Sequence, residues 1–167
     1  MNGLIGMSEL LLRTKLSTQQ SKLTTTMASS AKSLMQILND ILDLSKVEAG
    51  RMMLESAPFD LAEVMADCVE VFAGQASAKG IDLAFSPAPE LDRMLIGDSL
   101  RVRQVMLNLL GNAIKFTPAG EIALRSEVLK LEADRAQLSL SVRDTGVGMA
   151  PEVVQHIFEP FMQEDES

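Results

Sequence analysis

Tryptophan and tyrosine do not occur in this 167-residue chain, and cysteine and histidine occur once each. With Cys68 alone, no intramolecular disulfide can form, and a lone cysteine in an apolar helix reads as a small core residue in a reducing compartment. No apolar run reaches the length that crosses a bilayer. The first residues lack the basic region, apolar core and cleavage site of a signal peptide. The chain therefore reads as soluble and cytoplasmic, with any membrane sensor confined to segments upstream of Met1. Basic charge is in deficit, 15 Lys and Arg against 23 Asp and Glu, for a net charge of −8. That balance argues against a nucleic-acid surface, which needs clustered cations, but leaves room for a local phosphate site. No internal repeat or low-complexity tract is present. Hydrophobic residues make up 47%, so the chain can bury a core, and its length suits one ordinary domain plus an appendage.

The strongest periodic signal lies near the N-terminus. Leu23, Met27, Ser30, Leu34, Ile37, Ile41 and Leu44 alternate steps of four and three, a heptad seam with one polar position. Leu38 and Leu42 widen the stripe to the width of a bundle helix. A shorter helix over 1–13, with Leu4, Met7 and Leu11 on one face, precedes it across a polar turn at 14–20, and Gly50 is a helix stop. Two helices cannot bury such a stripe alone. A second copy, giving a four-helix bundle, is one solution; packing of the hairpin on its own chain's globular part is the other.

Beyond Gly50 the pattern changes to a mixture of strands and helices. Residues 52–54 suit a short strand, and Ala57-Pro58-Phe59 breaks the chain. Asp60 and Glu63 are spaced as a capping box, Phe59 and Val64 as a hydrophobic staple, and Leu61, Val64, Cys68 and Val71 form the inner face of the helix they open. Gly80 ends that helix. Strands are expected at 81–85 and 94–96, a helix from Asp98 to Phe116, a hairpin carrying Ile122, Leu124, Val128, Leu138, Leu140 and Val142, and a last helix over 151–158. The fold class is α+β: a helical hairpin over 1–50, then helices on one face of a mostly antiparallel sheet over 57–167.

Three groups of residues carry chemistry. On the helix after Asp98, Arg101, Gln104, Asn108, Asn112 and Lys115 lie along one face, opposite Val102, Val105, Leu109, Ala113 and Phe116. Asparagine is a poor helix former; its amide oxygen can ligate a hard cation such as Mg²⁺, and Lys115 suits phosphate oxygens. A solvated polar face is the plain alternative. At the end of a strand stands Asp144-Thr-Gly146-Val-Gly148-Met, where two glycines let backbone approach a ligand and Asp144 can accept from an exocyclic amine. The Gly-Lys-Ser/Thr tail of a Walker loop is missing, and an ordinary turn is the alternative. Last comes Ile157-Phe158-Glu-Pro-Phe161, which can close over a ligand or simply pack a short helix.

In this order and spacing the chain resembles the core of bacterial sensor histidine kinases of the hybrid type, whose ATP-binding fold is shared with the Hsp90, MutL and gyrase ATPases. The run from Asp98 through Asn108, Asn112, Lys115 and Phe116 to Thr117 looks like the family's asparagine box. Asp144 to Met149 looks like its first glycine box, and Ile157 to Phe161 like its phenylalanine box. Asn39 to Gly50 and Met1 to Met7 resemble its dimerisation segments, so the likeness runs the length of the chain. The resemblance implies two-component signalling: ATP and Mg²⁺ bound, a histidine phosphorylated, and relay to an aspartate on the receiver domain of a response regulator. It implies that Asn112 and Asn108 hold Mg²⁺ and phosphates, that Lys115 contacts phosphate, that Phe116 lies against adenine and Asp144 reads its amino group. Gly146 and Gly148 then shape the pocket, and Phe158 and Phe161 belong to its lid. An amide at Asn108, where the related ATPases carry a water-activating carboxylate, fits transfer to histidine. The resemblance also places the phosphoacceptor histidine just upstream of Met1 and a second glycine box just beyond Ser167. His156 is no match for the acceptor. The 167 residues alone are therefore expected to be inactive, and a non-catalytic dimerisation or regulatory module is the alternative function.

Overall fold

The computed structural model describes residues 2–91 and 93–156. Its contacts divide the chain into two units, Met1–Met53 and Leu54–Ser167.

The first unit is a pair of helices, α1 (Asn2–Leu12) and α2 (Thr18–Glu48). α2 begins inside the stretch expected to be a turn, because Ser17 and Gln20 form a reciprocal capping box: the Gln20 amide donates to Ser17 Oγ, and the Ser17 amide donates to Gln20 Oε1. At the other end Ala49 is the C-cap and Gly50 adopts a left-handed φ of 62°. The residues that α1 and α2 bury are small, namely Ser8, Thr24 and Ala28. The large apolar side chains point elsewhere. Leu23, Met27, Leu34, Ile37, Leu38, Ile41, Leu42 and Leu44 are all exposed, as are Leu4, Met7 and Leu11 of α1. Lys32 and Glu9 form an ion pair at 2.8 Å between the helices.

The second unit holds β1 (Ala57–Phe59), α3 (Leu61–Lys79), β2 (Ile81–Ser86), a 3-10 turn (Pro89–Leu91), β3 (Leu95–Gly97), α4 (Ser99–Phe116), β4 (Gly120–Leu131), β5 (Ala136–Asp144) and α5 (Pro151–Val154). Two expectations around β1 are corrected. Residues 52–54 form no strand, whereas Ala57–Phe59 does, pairing antiparallel with β3. Pro58 is tolerated because this ribbon has only two strands, so an edge without ladder donors is available. The larger sheet has the order β2-β4-β5. β4 and β5 are an antiparallel hairpin, closed where the Glu132 amide donates to the Arg135 carbonyl. β2 and β4 run parallel, as a connection through a helix such as α4 allows.

α3 and α4 both pack on this sheet and on each other. The core joins Leu61, Val64, Met65, Cys68 and Ala76 of α3 to Met106, Leu110, Ala113 and Ile114 of α4 and to Ile81, Ile122 and Leu124 of the strands. Two helix faces differ from expectation. Val71 is 59% exposed; Phe72 turns inward instead, its ring lying 3.6 Å from where a Cβ of Gly111 would stand. On α4, Val105, Leu109 and Phe116 are 55%, 43% and 41% exposed, because the buried arc is centred on Met106 and Leu110. These three apolar residues therefore share the outer side of α4 with the polar set. A register shift between Val128 and Lys130 interrupts the alternation of β4, and Leu129 and Leu131 at and beyond it are exposed.

Candidate nucleotide site

α4 is the element on which the site is built, and both of its ends are held by side chains. Asp98 is the N-cap. Its Oδ1 accepts from the Arg101 amide at 3.0 Å and its Oδ2 from the Glu55 amide at 3.0 Å. These two N–H donors hold the Asp98 carboxyl below the ordinary aspartate value. The helix body is tied to α3 by Arg103, which donates to Asp67 Oδ2 at 2.6 Å. Beside this pair Cys68 is fully buried, and burial raises its thiol pKa.

The C-terminal end of α4 meets the Asp144 loop. β5 delivers this loop, and Asp144 lies opposite Ile122 in the register, on the same side of the sheet as Val142 and Leu140. Asp144 Oδ1 accepts the Gly146 amide at 2.8 Å, which curls the loop back on itself. Oδ2 has no hydrogen-bond partner among the described residues. The Val147 amide then donates to the Phe116 carbonyl at 3.3 Å. Gly146 fits so closely that a Cβ there would stand 2.5 Å from the Phe116 carbonyl oxygen. Thr145 fastens the other side of the loop, its Oγ1 accepting the Glu121 amide at 3.0 Å. Gly148 has a φ of 72° and open space around it, so its glycine serves backbone conformation rather than packing.

The structure thus brings Asp144, Gly146 and Phe116 together. Asn108, Asn112 and Lys115 stand exposed along the outer side of the same helix, and the Lys115 ammonium lies 4.7 Å from the centroid of the Phe116 ring. Phe158 and Phe161 lie outside the described residues. Sequence reasoning missed three contributors. Lys79 of α3 donates to the Ile114 carbonyl at 2.6 Å and to the Thr117 carbonyl at 3.4 Å, at the end of α4. Thr145 of the Asp144 loop holds the Glu121 amide of β4. Thr117 is fully buried, and its hydroxyl has no hydrogen-bond partner among the described residues. The side chains of Lys79 and Thr145 act through tertiary contacts, which no local spacing marks.

Chemically, the site offers a carboxylate and an aromatic face at one end and neutral amides plus an ammonium along the helix. Among the described residues no cluster of three or more His, Cys, Asp or Glu side chains could hold an ion. A divalent cation on Asn108 and Asn112 would need anionic oxygens from a ligand to complete its shell. This donor set fits Mg²⁺ bound together with phosphates and not alone.

Residues 1–50 match the His Kinase A (phospho-acceptor) domain, and residues 97–167 match the histidine kinase-, DNA gyrase B-, and HSP90-like ATPases. The sensor histidine kinase GacS of Pseudomonas protegens is 38% identical over 167 residues, all of this chain and 18% of that protein. Full-length ShkA, solved in complex with AMPPNP, is 35% identical with a TM-score of 0.74, over 97% of this chain and 34% of the other. ThkA, solved with the response regulator protein TrrA, shares the fold at 23% identity and a TM-score of 0.64, over 97% of this chain and 46% of the other. The chain spans about a fifth of the length of the curated relatives it matches. With its phospho-acceptor hairpin followed by its ATPase unit, the chain belongs to the histidine kinases, as the kinase core of two-component signalling.

Proposed function

We propose that this core binds Mg·ATP between the outer side of α4 and the Asp144 loop and serves phosphoryl transfer to a histidine. The observation that carries the reading is the junction of the two elements: Gly146 against the Phe116 carbonyl, with the Val147 amide donating to it. That junction supports a single pocket with Asp144 at one end and the Asn108–Asn112–Lys115 face leading away from it. Asp144 Oδ2 accepts from the adenine amino group, Phe116 covers the base, and Gly148 lets backbone approach the ligand. Lys115 neutralises phosphate charge, and the amide oxygens of Asn112 and Asn108 hold Mg²⁺ against the phosphates. The metal supplies charge neutralisation of the transferring group. With an amide at Asn108 the helix offers no carboxylate base for water there, so the γ-phosphoryl group goes to an imidazole nitrogen rather than to water. Phe158 and Phe161 form part of the lid.

The hairpin of residues 1–50 dimerises, and the unit of residues 57–167 carries the nucleotide. The exposed stripe from Leu23 to Leu44 supports a homodimer, since α1 and α2 leave a bundle-width apolar surface uncovered within their own unit. The relay passes to an aspartate of a response-regulator receiver domain, in line with the ThkA complex, and takes place in the cytoplasm. No helix among the described residues is long and apolar enough to cross a membrane. A polypeptide of these 167 residues does not phosphorylate itself, because its one histidine, His156, follows α5 and does not lie on the helical hairpin that matches the phospho-acceptor domain.

Calorimetric titration with Mg·ATP tests the site. Binding that weakens about tenfold in Asp144→Asn, as expected for one charged hydrogen bond, supports it. Tight binding indifferent to Asp144→Asn would remove the adenine assignment.

A further inference from the structure

The last carbonyls of a helix have no partner within it, and a buried helix end must find them elsewhere. At the end of α4 nearly every one can be accounted for. The Ala113 carbonyl accepts the Thr117 amide at 3.0 Å. The Phe116 carbonyl accepts the Val147 amide from the Asp144 loop. The carbonyls of Ile114 and Lys115, and that of the cap residue Thr117, converge on one group, the ammonium of Lys79, at 2.6, 3.5 and 3.4 Å. Lys79 stands in the last turn of α3, one residue before the left-handed Gly80 that ends that helix. A cation there also answers the negative end of the α4 dipole.

We infer that Lys79 is a positioning residue for nucleotide binding: its ammonium and the Asp144 loop together form the C-terminal cap of α4, and so fix Lys115 and Phe116. This rests on the nucleotide reading above. Without the ammonium, three carbonyls lose their donor while the Phe116 carbonyl keeps its own. The last turn can then fray, and the Gly146–Phe116 junction loosens with it. Lys79 touches no ligand in this account; it acts through the carbonyls of the residues that do.

The test uses the 167-residue chain and Mg·ADP as probe. Lys79→Met is expected to weaken binding about tenfold, the scale of one charge-assisted hydrogen bond, with Lys79→Arg recovering most of it. Amide exchange at Thr117 and Val147 should quicken in Lys79→Met and return toward the wild-type rate in Lys79→Arg. Asp67→Asn is the stability control, since it cuts the α3–α4 tie at Arg103, remote in sequence from the cap. It should lower the melting temperature and leave ADP affinity within about twofold. Equal loss of affinity in Asp67→Asn and Lys79→Met would overturn the inference, because general loosening would explain both. So would wild-type affinity in Lys79→Met. If the wild-type chain does not bind Mg·ADP at all, the nucleotide reading falls and this inference falls with it. If Lys79→Met does not fold, Lys79→Gln replaces it, with the same expected losses.

Discussion

Replacing Gly146 with alanine strikes the junction on which the site depends. The new Cβ would stand 2.5 Å from the Phe116 carbonyl oxygen, 2.8 Å from Asp144 Oδ1 and 3.0 Å from the Phe116 carbonyl carbon. Ordinary carbon contacts lie near ~3.5 Å, so the loop or the end of α4 must retreat by roughly an ångström. Overpacking of this kind costs about 1–3 kcal/mol. The Val147–Phe116 hydrogen bond, already 3.3 Å long, would break as the two elements part. Its loss adds about 0.5–1.5 kcal/mol, for a total of about 2–4 kcal/mol. In a chain of this size that lowers the melting temperature by roughly 5–15 °C. Gly148→Ala is the matched comparison. Its Cβ meets open space, and only the left-handed φ of 72° opposes it, at about 1–2 kcal/mol. Thermal unfolding followed by circular dichroism, with nucleotide affinity measured on the same samples, separates the two. Gly146→Ala should be the less stable variant and should lose more affinity. A Gly146→Ala protein that melts within a degree of wild type would refute the close packing described here.

Three further outcomes are expected. Asp98 has a depressed folded pKa, so its carboxylate contributes stability that is present above the ordinary aspartate value near ~4 and is lost as pH falls through the lower folded value. Thermal scans should therefore show wild type ahead of Asp98→Asn at neutral pH and level with it well below pH ~4; an unchanged gap at low pH would contradict the capping account. Leu34→Asp with Ile41→Asp places unpaired charges in the α2 stripe, at a cost of several kcal/mol if that surface is buried between copies. Sedimentation should then show a dimer turning into a monomer, and a wild-type monomer would exclude the bundle. Incubation with γ-labelled ATP should leave the 167-residue chain unlabelled; acid-labile label abolished by His156→Gln would make His156 an acceptor and overturn that expectation.

Where structure was legible in the sequence, the controlling interaction was local. Asp60 caps α3 through the Ala62 and Glu63 amides, Asp98 caps α4, and Gly80 closes α3 with a φ of 67°. Each is set by side chains within a few residues. The faces of α3 and α4 were harder. At about 3.6 residues per turn the arc opposite Asn108 and Asn112 holds Met106 and Leu110, which are buried, whereas Val105, Leu109 and Phe116 fall beside the polar set and are exposed; the expectation put these three on the wrong arc. On α3 the choice between Val71 and Phe72 depended on the room left by Gly111, a residue on another helix. β1 was hidden because Pro58 reads as a breaker, and only its partner β3 makes a strand of it. The same holds at the site: the Asp144-x-Gly146 turn is written locally, whereas Lys79 reaches the end of α4 from 35 residues away in the chain.

Backbone amide shifts, followed by NMR while Mg·ADP is added to the wild-type chain, test the central claim most directly. The account predicts saturable changes concentrated at Asn108, Asn112, Lys115, Phe116, Gly146 and Gly148, with the hairpin tip at 130–137 unmoved. No saturable change, or changes confined to the tip or to α2, would contradict it.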